Sequence, residues 1–136
     1  MLNNKGQSLI LFVIVLPILL LVTVLVIDVG RIVVMKQELK SISNIALDYG
    51  LDNLEKDNLS DELYNLVQLN NNEIDEIDIN IDNNRIYINL NENVNGVFSK
   101  IIDISNFDVE SSYVGYVLND EKIIERISRW LVWILL

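Results

Sequence analysis

Leu9 to Ile27 is an uncharged run of 19 residues, 17 of them Leu, Ile, Val or Phe. Only Pro17 and Thr23 interrupt it. As a helix rising 1.5 Å per residue it would reach about 28 Å, against a hydrocarbon core of about 30 Å. Each apolar side chain favours insertion by roughly 0.3–0.6 kcal/mol, so together they outweigh the cost of one proline. Neighbouring groups can satisfy the carbonyl that Pro17 leaves free. The run therefore predicts a transmembrane helix. A soluble core helix would need a polar face, which this run lacks. A cleaved secretory signal would have a shorter apolar region followed by a small-x-small site. Here the run ends Val26-Ile27-Asp28-Val29-Gly30-Arg31, and a retained single-pass anchor is the preferred reading.

Charge excludes several function classes. The chain has 20 acidic and 10 basic side chains, a net charge of −10. Fourteen acids against three bases fall within residues 51–119. Nucleic acid is not an expected partner, because phosphate binding needs clustered Lys and Arg. There is no Cys and no His. That removes disulfides, thiolate or imidazole metal sites and a Ser-His-Asp triad. Asp78-x-Asn80-x-Asp82 begins like a calcium loop, but Asn83 and Asn89 stand where Gly and Glu are needed. Pairs such as Asp75 and Glu76 are not set apart from the other acids, and no Gly-rich phosphate loop exists. No enzyme activity, cofactor or metal site is expected.

The rest of the chain divides into a short N-terminal segment (1–8), the span (9–27), a helix continuing out of the membrane (28–50), an acidic α+β domain (51–119) and a C-terminal segment (120–136). Ile32, Met35, Leu39, Ile42, Ala46 and Tyr49 are spaced 3-4-3-4-3 and form one helical stripe. That stripe must be covered, either by the chain's own sheet or by neighbouring copies or partner subunits. Gly50 is the expected stop. Ser60-Asp61-Glu62 reads as the start of a short helix. Ile77, Ile79 and Ile81 alternate with polar residues, as do Ile86, Ile88 and Leu90, and Asp82-Asn83-Asn84-Arg85 lies between them. This pattern predicts a β-hairpin with one buried face. Val94, Phe98, Ile101 and Ile102 suggest a short helix, and Phe107 to Leu118 a third strand. The expected fold is α+β, with a long N-terminal transmembrane helix extending into a small antiparallel three-strand sheet domain with short helices. In the tail, Ile123, Ile127, Trp130, Leu131 and Ile134 share a helical face. Residues 120–136 are therefore expected to be an amphipathic helix. It would either close the domain's core or dock at the membrane interface through Arg126, Arg129, Trp130 and Trp133.

Orientation is undecided by charge, since Lys5 lies on one side of the span and Arg31, Lys36 and Lys40 on the other. The first fifty residues, taken together, carry more. Lys5-Gly6-Gln7-Ser8-Leu9 precedes the span, Leu16-Pro17 lies near its middle, and Asp28-Val29-Gly30-Arg31 closes it. Gln37-Glu38-Leu39 and the stretch to Ala46 and Gly50 follow. This combination resembles the amino-terminal region of the TadE/TadG-like proteins of bacterial Flp (Tad) pilus systems. The resemblance implies a short cytoplasmic N-terminus and an extracytoplasmic body in the bacterial cell membrane. It implies a structural role in pilus assembly, with the bilayer and pilus or assembly-platform subunits as partners and self-association as a further option. It makes Gly6-Gln7 a candidate prepilin-peptidase site and Asp28, Gly30 and Arg31 an exit motif. Pilin-like members carry a Glu five residues after the processing glycine, and here that position is Leu11. The departure turns the reading toward the anchored, TadG-like side of the family and leaves cleavage open. The alternative is a generic single-pass, membrane-tethered extracytoplasmic binding module unrelated to pili.

Overall fold

The computed structural model describes residues 4–103 and 106–128. Helix α1 runs unbroken from Asn4 to Asp52, 49 residues with Pro17 inside it, which makes it about 74 Å long. No part of its apolar window is buried within the chain. Polar groups in that stretch are satisfied locally, as Thr23 Oγ1 donates to the Leu19 carbonyl at 2.8 Å. Beyond Ile27 the same helix becomes one-sided, with Leu39, Ile42, Ser43, Ala46, Leu47, Gly50 and Leu51 buried.

What buries them is a sheet of four antiparallel strands in the order β1-β2-β3-β4: Glu76–Asp82, Arg85–Val94, Phe107–Leu118 and Glu121–Arg126. Register puts the apolar halves of the strands on one face. Ile86, Ile88 and Leu90 of β2 stand opposite Ile81, Ile79 and Ile77 of β1, and opposite Gly115, Tyr113 and Ser111 of β3. The upper half of α1 lies across this face. Helix α2 (Leu59–Asn70) adds Leu59, Leu63 and Val67 to the same core. The stripe read from spacing is therefore covered in large part by the chain's own sheet: Leu39, Ile42 and Ala46 are in the core, and Ile32, Met35 and Tyr49 pack against it.

Three expectations need correction. The sheet has four strands, not three, because residues 121–126 pair with β3 instead of forming the start of a helix. The turn before them explains why. Asn119 and Asp120 have φ of 52° and 64°, the left-handed pair that closes a two-residue hairpin. Asn83 and Asn84, with φ of 48° and 62°, do the same between β1 and β2. Lys122 then pins β4 to α1, with its ammonium 2.8 Å from Asp48 and 2.7 Å from Asp52. Gly50 is not a stop: α1 continues to Asp52, and Gly50 permits close packing. A Cβ there would come within 2.6 Å of Ile86 Cδ1. Helix α2 begins at Leu59 with Asn58 at its N-cap, not at Ser60. Burial of Leu59 in the core accounts for the earlier start. Of the candidate interfacial residues, Arg126 ends β4, while Arg129, Trp130 and Trp133 lie outside the described residues.

Candidate functional site: the clamp at the helix exit

Asp28 is the first charged residue after the apolar run, and on an otherwise bare stretch of helix it is only 2% exposed. A carboxylate can be buried at tolerable cost only when hydrogen bonds replace its water. Helix α3 (Val97–Ile101) supplies them. The backbone N–H of Val97 donates to Asp28 Oδ1 at 2.8 Å, and that of Phe98 to Oδ2 at 2.7 Å. Both groups belong to the first turn of α3, where N–H groups have no partner within the helix and attract negative charge. Asp28 thus caps α3 from 69 and 70 residues away.

The neighbouring residues complete the clamp. One turn along α1, Arg31 Nη1 donates to the Asn95 carbonyl at 3.3 Å. Ser99 Oγ donates to the Gly96 carbonyl at 2.9 Å and is buried. Gly96 has to be small. A Cβ on it would lie 2.7 Å from Phe107 Cε2, 2.8 Å from Asp28 Oδ2 and 3.0 Å from Ser99 Oγ. The third exit residue, Gly30, takes no part in these bonds. A Cβ there would meet nothing within 4 Å, and it borders an open apolar notch with Val34, Met35 and Val94. The structure therefore brings Asp28 and Arg31 onto one loop, 95–98, and leaves Gly30 facing open space.

Gly6 and Gln7 lie far from this clamp, on the exposed first turns of α1. Leu11 is exposed on the same helix, 64% by area.

A second polar contact ties α1 to the sheet higher up. The inward alternation of β2 continues past Leu90 to Glu92, which is 5% exposed. Asn71 Nδ2 reaches both Glu92 Oε2 and Glu38 Oε1 at 3.2 Å. Burial pushes the Glu92 carboxyl above its ordinary range, and the charges of Glu38, Glu73 and Asp75 add to the effect, against the Asn71 hydrogen bond. Between α1 and the β3–β4 edge lies an open cleft of about 630 Å³, lined by Lys36, Lys40, Ser111, Tyr113 and Arg126 among others. Among the described residues no three acidic side chains gather as a metal site.

Sequence reasoning singled out Asp28 and Arg31, and placed Phe98 in a short helix, but did not name Asn95, Gly96 and Val97 or link that helix to Asp28. It also passed over Glu92, whose signal was present: Glu92 continues the period of Ile86, Ile88 and Leu90.

Residues 6–46 match the family of TadE-like proteins. The match covers the apolar half of α1, the exit motif and most of the stripe, and it stops before the α2–β4 head. It supports a role associated with Tad pili. A single apolar N-terminal helix fits a single-pass membrane protein of such a family. No curated protein and no solved structure matches the chain.

Proposed function

We propose that this protein is a membrane-anchored TadE/TadG-like component of Tad pilus assembly and that its role is structural. The lower half of α1 crosses the membrane, the N-terminus is cytoplasmic, and the α2–β4 head stands outside. The observation that carries this reading is a coincidence of place. The TadE-like match ends within the helix that joins a bare apolar segment to a head, and its Asp28 and Arg31 hold that head at the exit. A tether to an unrelated binding domain would need neither residue. With both, motion of the span and motion of the head are coupled, as a protein that passes force or position between membrane and filament requires.

In this reading the part of α1 that the head leaves uncovered, with Val29, Val33, Val34 and Ile45 exposed, meets pilus or platform subunits. Gly6-Gln7 remains the candidate processing site, and the segment after β4, with Arg129, Trp130 and Trp133, the candidate interfacial anchor. The test is cross-linking in a host carrying its native secretion genes, from photoreactive residues at Val33 and Ile45. Adducts with pilus or platform subunits are expected from both positions. Adducts with lipid and bulk membrane proteins alone, together with normal piliation in the deletion strain, would overturn the role.

A further inference from the structure

We propose that α3 is a second membrane contact, a foot on which the head rests in the headgroup layer beside the point where α1 leaves the bilayer. The inference rests on the reading of α1 as a span and deepens it.

Height comes from the clamp. Asp28 is one residue, about 1.5 Å of rise, beyond the last residue of the apolar run. Helix side chains slant toward the N-terminus, here toward the membrane. The carboxylate that holds Val97 and Phe98 by their backbone N–H groups, at 2.8 and 2.7 Å, therefore fixes the first turn of α3 at the level of the exit. What α3 presents there suits that level. Val97 and Ile101 of α3 and Ile102 just after it are 39%, 57% and 42% exposed. Lys100 stands among them, also exposed, and Arg31 is bound to Asn95 just before them. Apolar side chains flanked by Lys and Arg are the composition of a segment lying in an interface, with aliphatic parts in the acyl boundary and cationic ends among lipid phosphates. Two acids lie near α3: Asp28 is buried and bound to Val97 and Phe98, and Asp103 follows Ile102 and is exposed. The occupant is a bilayer surface containing anionic lipid.

The chain has no cysteine, so single spin labels can be placed at will on exposed positions. Full-length protein carrying Leu19→Cys, Ile101→Cys, Ile102→Cys or Leu69→Cys is reconstituted in phosphatidylethanolamine–phosphatidylglycerol vesicles. Collision of each label with oxygen and with a water-soluble nickel chelate is then measured. Position 69, 84% exposed on α2, is the aqueous reference. The expected result is a deep label at 19 and interfacial labels at 101 and 102, with nickel collision several-fold below that at 69 and oxygen collision above it. A deep label at 19 with water-like labels at 101 and 102 overturns the foot and leaves the span. Labels at 101 and 102 shielded from both reagents mean that protein covers them, and that also overturns it. A water-like label at 19 overturns the span itself.

Discussion

Removing the Asp28 carboxylate should uncouple α3 from α1 while leaving the sheet in place. Hydrogen bonds to a charged acceptor are each worth about 1.5–3 kcal/mol, and Asp28 accepts two at 2.8 and 2.7 Å. Val97 is partly exposed, so water recovers part of the loss on Asp28→Ala. A net cost near 3 kcal/mol is reasonable, which is about two powers of ten in a local opening equilibrium. Asp28→Asn keeps one acceptor and turns an N–H toward the other donor, so at least half of that cost remains. Gly96→Ala attacks the same contact from the other side. Its Cβ would lie 2.8 Å from Asp28 Oδ2 and 2.7 Å from Phe107 Cε2, an overpacking cost of about 1–3 kcal/mol. Because Asp28→Ala removes one of the atoms that this Cβ would meet, the double variant should cost less than the sum of the single ones. The assay is amide hydrogen exchange on the full chain in bilayers or detergent. In Asp28→Ala, protection at Val97 and Phe98 should fall about a hundredfold, while Ile88 and Val109 in the sheet change far less. Unchanged protection at 97 and 98, or one uniform loss through the sheet, would refute the clamp.

Other outcomes follow from the packing, the charges and the turns. Leu39→Ala, at a site with no exposure, should destabilise the head by about 2–5 kcal/mol, read as a lowered melting temperature of the sheet signal. Glu92 has a raised carboxyl pKa, so its charged form opposes folding. Stability should rise as pH falls from neutral through that raised value toward the ordinary 4.5. Glu92→Gln should stabilise at neutral pH and remove this slope. Glu62, held low by the Tyr49 hydroxyl and then by Lys56, works in the opposite sense, and its contribution is lost only below the ordinary value. At the first hairpin, Asn84 has φ of 62°. Asn84→Val should cost about 1–2 kcal/mol and Asn84→Gly almost nothing, by denaturant titration.

The parts of the fold legible in the sequence are those with a local cause. Period-two isoleucines and the Asn83-Asn84 turn made the first hairpin readable almost to the residue. The 3-4 spacing from Ile32 to Tyr49 made the buried stripe readable. The second hairpin had the same turn chemistry in Asn119-Asp120. It was hidden because Ile123, Ile127, Trp130 and Leu131 also satisfy a helical period, and a short apolar run does not distinguish the two. The clamp was half legible. Asp28 and Arg31 stand out at the end of the apolar run, but their partners lie more than sixty residues away, in a stretch whose apolar spacing suggests a short helix and says nothing of what caps it. Long-range capping by a side chain leaves no spacing to read. Gly50 misled for a related reason, since a glycine needed for close packing looks the same in sequence as one that ends a helix.

The central claim is that α1 crosses the membrane once and leaves the head outside. Its most direct test is labelling of single cysteines in intact cells with a membrane-impermeant maleimide, before and after permeabilisation. Three positions decide it: Ser8→Cys, which is kept whether or not the chain is cut after Gly6, Val15→Cys in the apolar run, and Leu69→Cys on α2 of the head, 84% exposed. The account predicts labelling of 69 in intact cells, of 8 only after permeabilisation, and of 15 in neither. Labelling of 8 from outside, or of 15 in either state, would contradict it.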